Sequence, residues 1–427
     1  MQKASVNNPW SWIPSLYFGQ AIPYVVVMAL SVIIYKDFGV SNDDIAFYTS
    51  WLYLPWVIKP LWSPFIDMFR TKRWWTVSMQ FIIGAALASV ALTTPLPGFF
   101  QISLAILWLM AFSSATHDIA ADGFYMLALP QDQQASFVGV RSTFYRLANI
   151  AGQGGLVYLA GKITERTGDK AFAWTISLSI LALIFLSLWV YHSFILPRPE
   201  SDRKVIQGDH YIKEYFATFG AFFARKDILL VLGFILTFRL GESQLIKMVV
   251  PFLRDPLAKG GLGLSTAQVG LVYGTVGVLF LTLGGLLGGY FISRVGLKRA
   301  LWPMVFAVHV PDLMFVALSA YMPQDIVVIS AGIALEQFGY GFGFAALLLY
   351  MIMVADGVHK TAHYAICTGL MAMGMMIPGM YSGRVQEYLG YHQFFIYICA
   401  MTLPAFLMAA LVKIDPEFGK KAPASSA

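Results

Sequence analysis

Phe38-Gly39-Val40-Ser41 ends the first long apolar stretch of this chain, and Leu262-Gly263-Leu264-Ser265 ends the seventh, 224 positions later. Working outward, the spacing returns: Lys72-Arg73 follows the second stretch and Lys298-Arg299 the eighth, 226 positions apart. A helix needs about 20 apolar residues to cross a bilayer. Twelve such runs are read at 10–35, 44–69, 73–94, 100–129, 135–161, 170–196, 226–254, 265–293, 298–320, 324–354, 360–388 and 391–413. The hydrophobic share is 58% and the charged share 12%, about half the usual soluble level, which excludes a soluble globular chain. The expectation is an all-α membrane protein of twelve transmembrane helices in two equivalent six-helix halves.

Two such halves in one orientation resemble the major facilitator fold, in which the substrate site lies near mid-membrane. The expected organisation is a bundle over 1–196, an inter-bundle linker over 197–225, a second bundle over 226–415 and a disordered tail over 416–427. Within the linker, 211–224 alternates aromatic and polar residues at helical spacing and reads as a surface helix or the start of the seventh span. With the N-terminus inside, 17 of the 29 Lys and Arg fall on inner segments, 7 outside and 5 within spans, so both termini are expected to be cytoplasmic. Topogenic loops account for the net charge of +6, and no nucleic-acid partner is implied. The first stretch is too long for a cleaved signal peptide. Cys367 and Cys399 both lie within spans, which argues for packing rather than a disulfide or metal framework.

Ionisable groups at membrane depth cost roughly 2.5–3.5 kcal/mol each, so every one needs a reason. At 1.5 Å per residue, Asp118, Arg146 and Lys59 all come to about 15–16 Å from the inner end of their spans. Asp122 and Arg141 share a lower level at about 9–10 Å. Asp118 and Asp122, four apart, occupy one helix face, where unpaired acids suit proton carriage and paired ones suit a structural brace. On the seventh span Arg239 and Glu242 are three apart and are expected to pair on one helix face. Glu336 on the tenth span has no cation on its own helix, and a lone carboxylate at depth favours its protonated form. Asp312, after His309 and Pro311 on the ninth span, is ambiguous because ninth spans of this architecture are usually peripheral. Gly152, Gly154 and Gly155 flank Gln153 after Arg146, and Gly339, Gly341 and Gly343 follow Glu336; plain helix packing is the default for such glycines, and flexible backbone beside the charges is the alternative.

Lys59-Pro60-Leu61-Trp62-Ser63-Pro64 with Asp67, and Phe112-Ser113-Ser114-Ala115-Thr116-His117-Asp118-Ile119 with Asp122, resemble the AmpG-type muropeptide permeases. These form part of the peptide–acetyl-CoA transporter group of the major facilitator superfamily. Tyr145-Arg146-Leu147, Arg239-Leu240-Gly241-Glu242, Glu336 and Tyr364-Ala365 extend the match across both halves. The resemblance implies proton-coupled import of N-acetylglucosaminyl-anhydro-N-acetylmuramic acid, with or without peptide, across a bacterial inner membrane for cell-wall recycling. It implies Glu336, Glu242, Asp118 and Asp122 as proton-coupling candidates. Arg146, Arg239, Lys59, Gln153, Tyr24 and Tyr53 are candidate cargo contacts; Asp67, Arg141, Lys72 and Arg73 are gating or structural. The chain departs from the pattern at Tyr24-Val25-Val26-Val27, after Pro23, and at Met375, where an arginine is expected.

No His-Glu-x-x-His, nucleophile elbow or nucleotide loop is present, so an enzyme is not expected, and neither a metal nor a cofactor is implied. His117-Asp118 suits acid–base chemistry in a membrane enzyme or receptor, but a histidine beside a helix carboxylate is more often a structural contact. Within transporters the rivals carry another solute: an acyl-CoA, a siderophore, a peptide or a sugar. The partners expected are a small sugar-peptide, protons and lipid, with the protein a monomer.

Overall fold

Apolar runs this long leave the backbone no water to bond with, so each satisfies its own N–H and C=O groups as helix. In the computed structural model, which describes residues 8–129, 131–200, 202, 209–355 and 360–419, the chain is all-α. Among the described residues, nine helical stretches are long and apolar enough to cross a membrane. The last, Ala362–Leu411, covers the expected eleventh and twelfth spans, which part at Gly390 with its positive φ of 72°. The second span is divided into Asn42–Trp51 and Leu54–Phe69, and the fifth into Gln131–Ile150 and Val157–Thr167. Breaks and polar residues account for their absence from the nine. In the linker a helix forms over Asp209–Phe223.

By contact the chain divides into two compact units. The first holds Met1–Val40, Leu52–Lys213 and Ser265–Gly274; the second holds Ser41–Trp51, Glu214–Leu264 and Thr275–Ala427. Each unit therefore takes in a short segment from the opposite half of the sequence.

In the first unit, Lys72–Thr93 packs against Phe99–Ala128 and Lys170–Ile195, and Ile13–Val25 packs against Gln131–Ile150. A polar chain threads this apolar core. Ser15 Oγ meets His192 Nε2 at 2.9 Å, His192 Nδ1 meets Gln80 Oε1 at 3.0 Å, and Gln80 Nε2 meets His117 Nε2 at 3.1 Å. The amide sets the direction of its two bonds: its oxygen accepts from His192 and its nitrogen donates to His117. His117 is thereby held at the end of a buried polar chain. The segment from the eighth span approaches so closely that a Cβ on Gly161 would lie 2.2 Å from Ala267 N, and one on Gly274 1.9 Å from Gln153 O.

In the second unit, Gly339 and Gly343 lie four apart on the tenth helix, Ile326–Val354, against the ninth span. Their added Cβ atoms would meet Ala307 O at 2.1 Å and Met304 O at 2.3 Å. Gly341 does the same toward Leu281 O at 2.1 Å. These glycines, with Gly284 and Gly288 on the eighth span, are packing surface, where only a missing side chain permits the approach. Pro311 sits in a 3-10 turn, Val310–Asp312, that interrupts the ninth span.

Gly161→Val should lower the thermal midpoint and the monodisperse yield of the purified protein, at a cost of about 1–3 kcal/mol for overpacking. Gly155→Ala, where an added Cβ meets nothing within 4 Å, should change neither measurement.

Candidate functional site

The seventh span is not continuous. One helix, Ile228–Thr237, ends, and a second, Leu240–Arg254, begins after Phe238 and Arg239. Arg239 precedes that helix with φ −113°, so the three-residue spacing to Glu242 is not a helical one. Its guanidinium instead donates to Tyr340 Oη and lies 5.0 Å over the Tyr340 ring and 4.9 Å over Phe344. Such stacking suits a weakly hydrated cation in an apolar setting. Arg239 still acts electrostatically on Glu242, which occupies the first turn of the following helix.

Glu242 does not stand alone. Its carboxylate, that of Asp312 and that of Glu336 offer oxygens all within 4.8 Å of one another. The three residues are 1%, 2% and 1% exposed. Gln337 Nε2 donates to Glu336 Oε2 at 2.9 Å. Neither oxygen of Asp312 has a hydrogen-bond partner among the described residues, nor does Glu242 Oε2. The placement follows from the packing: Gly339 admits Ala307 and Pro311 against the tenth helix, and the turn at Pro311 sets Asp312 beside Glu336. Three buried acids so close repel one another when ionised, which is an arrangement that bound protons or a hard cation would relieve.

In the first unit the acids are paired. Lys59 Nζ lies 3.7 Å from Asp118 Oδ2, and Trp56 Nε1 donates to the same oxygen at 3.1 Å. Tyr24 packs edge-on against Trp56 at 5.4 Å, so it shares this cluster. One helical turn further along the same helix, Arg141 Nη2 bonds Asp122 Oδ1 at 2.6 Å, and Tyr17 Oη donates to that oxygen at 3.2 Å. The guanidinium is held between the rings of Tyr17 and Tyr125, at 4.2 and 4.4 Å.

The remaining candidates scatter. Arg146 is half-buried on Gln131–Ile150. Gln153 sits in a π-helical segment, Ala151–Leu156, and donates to Asn149 Oδ1 at 3.4 Å. Tyr53 is buried at the break in the second span. Lys72 lays its methylenes over Gly123, and Arg73 donates to the carbonyls of Ser193 and Leu196, so both brace helix ends. The side chain of Asp67 lies outside the described residues. Met375 is buried at 3% exposure.

Three corrections follow. Glu336, expected as a lone carboxylate, has two acidic neighbours. Asp312, ambiguous in sequence because ninth spans are usually peripheral, is one of them; the signal available in sequence was Pro311, which breaks the helix just before it. Arg239 and Glu242 do not share a helix.

A helical chain of this length, with ionisable groups held at depth, is a multi-pass membrane transporter of small molecules. The Major Facilitator Superfamily model matches residues 15–308, and the chain belongs to that superfamily. The anhydromuropeptide permease of Escherichia coli K12 is 23% identical over 375 residues, covering 85% of this chain and 71% of the relative. A Rickettsia conorii protein bearing the name AmpG 4 is 23% identical over 402 residues, with 91% and 92% covered. The resemblance to AmpG-type permeases is borne out by these relatives. Among solved structures, the nucleoside transporter NupG superposes with a TM-score of 0.68 at 16% identity, covering 95% of this chain and 99% of the other. The class is a transporter, not an enzyme.

Lys59→Met should destabilise the purified protein, because Asp118 loses its nearest cation. Asp118→Asn in the same chain should restore much of the loss. Thermal melts of the double-mutant cycle should give a coupling of about 0.5–3 kcal/mol; a coupling of zero would show the pair to be idle.

Proposed function

We propose that this protein is a proton-coupled importer of anhydro-muropeptides, working by alternating access in a bacterial inner membrane. The observation that carries the reading is the buried trio Glu242, Asp312 and Glu336. A transporter that keeps three acids in contact has a place to take up and release protons, and the relatives named as anhydromuropeptide permeases supply the cargo class. Glu336 and Glu242 carry the coupling proton, and protonation removes buried charge and favours one conformational state. The coupling is limited to the difference in affinity that proton and cargo have for the two states.

The cargo joins acidic peptide groups to sugar rings. Arg239, stacked but still presenting charge, and Arg146 and Lys59 are suited to the acidic part. Tyr24 and Tyr53 offer aromatic faces, and Gln153 a polar contact. Asp118 and Asp122, already on Lys59 and Arg141, brace the first unit and tune those cations. Both termini face the cytoplasm in this reading, and the protein works as a monomer.

Proteoliposomes should accumulate labelled N-acetylglucosaminyl-anhydro-N-acetylmuramyl peptide when the outside is made acidic. Glu336→Gln should abolish that accumulation while leaving downhill uptake in place. Accumulation driven by a sodium gradient alone, or unchanged pH-driven accumulation in Glu336→Gln, would overturn the assignment.

A further inference from the structure

A groove of about 770 Å³ lies in the first unit, where the third span begins and the sixth ends. Arg73, in the first turn of Lys72–Thr93, and Arg198, three residues beyond Lys170–Ile195, line one end. The floor beyond them is apolar, with Phe81 and Trp189 in contact at 4.9 Å between ring centres. From Arg73 to the far lining residue, Ile82, the groove follows the helix for roughly 13 Å at the usual rise.

The charge at the mouth is unbalanced. Asp202, the acid in the lining, turns both oxygens to the backbone N–H groups of Lys72 and Arg73, at 2.7 and 2.9 Å. The Arg73 guanidinium is fixed on two backbone carbonyls, which leave its charge in place. Arg198 is exposed, has no hydrogen-bond or ion-pair partner among the described residues, and repels Arg73, which Asp202 attracts in turn, so the arginines outnumber the acid in the lining. Arg70 adds a third cation, 5.6 Å over the ring of Trp74, another lining residue. A free anion would use only the mouth. An occupant that matches the whole groove has an anionic head and an apolar tail.

We propose that this groove is a binding site for an anionic phospholipid, its phosphate held by Arg198 and Arg73 and an acyl chain laid along Phe81 and Trp189. Basic pockets at helix ends recognise anionic headgroups beyond what the general surface potential supplies. The site is separate from the buried acids of the second unit, so its test does not depend on the transported solute.

Native mass spectrometry of the purified full chain, with phosphatidylglycerol or phosphatidylethanolamine added at equal concentration, tests the proposal. Phosphatidylglycerol adducts should persist at higher collision energy than phosphatidylethanolamine adducts. Arg198→Gln should weaken phosphatidylglycerol binding about fivefold, and Arg198→Lys should retain most of it. Arg294→Gln, an exposed arginine at another helix end, should leave it unchanged. Equal retention of the two lipids, an Arg198→Gln variant that binds as the parent does, or an equal loss in Arg294→Gln would overturn the site. Displacement of phosphatidylglycerol by millimolar inorganic phosphate would also overturn it, showing an anion site at the mouth alone.

Discussion

Away from water, a carboxylate has to find a cation, a set of donors or a proton, and that requirement organises both units of this chain. Asp122, whose side chain is part-exposed, meets it on one oxygen, with Arg141 and two tyrosine rings around the guanidinium. Asp118 satisfies it with a lysine and an indole N–H. In the second unit Glu336 has one amide donor, Gln337, while Asp312 has no hydrogen-bond partner among the described residues, and the Arg239 guanidinium lies on Tyr340 and Phe344. An imbalance of this kind is costly in apolar surroundings and persists where it serves a purpose. The contrast separates paired acids in one unit from clustered acids in the other.

The spans were legible because membrane thickness dictates their length, and apolar composition reports it directly. The matched heights of Asp118 with Lys59, and of Asp122 with Arg141, were also legible, because antiparallel helices with a fixed rise keep residue depth simple. The trio was not. Its third member arrives from a separate helix, through a turn at Pro311 and glycine contacts that no local pattern reveals. The i,i+3 reading of Arg239 and Glu242 failed for a related reason: a break after Thr237 changes the geometry, and Phe238 and Arg239 in the break itself are neither proline nor glycine.

The internal repeat extends to individual contacts. Asp37, ending the helix Ser31–Asp37, accepts from Thr266 Oγ1 at 2.9 Å in the first unit. Asp255, just after Leu240–Arg254, accepts from Asn42 Nδ2 at 3.2 Å and from Tyr391 Oη at 2.5 Å in the second. Thr266 and Asn42 follow the two turn serines, Ser265 and Ser41, and are separated by the same 224 positions. Each unit thus fastens its borrowed segment with an acid at the end of a leading span.

From Ser41 to Lys72 there are 31 positions, but from Ser265 to Lys298 there are 33. The eighth span coils as a π-helix over Gly270–Gly277, a wider winding that packs more residues into a given length than an α-helix does. Two surplus residues therefore lengthen the rod by less. Duplicated halves can in this way drift in residue count with a smaller change in reach, and hence in fit to the bilayer, than the same residues would bring in an α-helix.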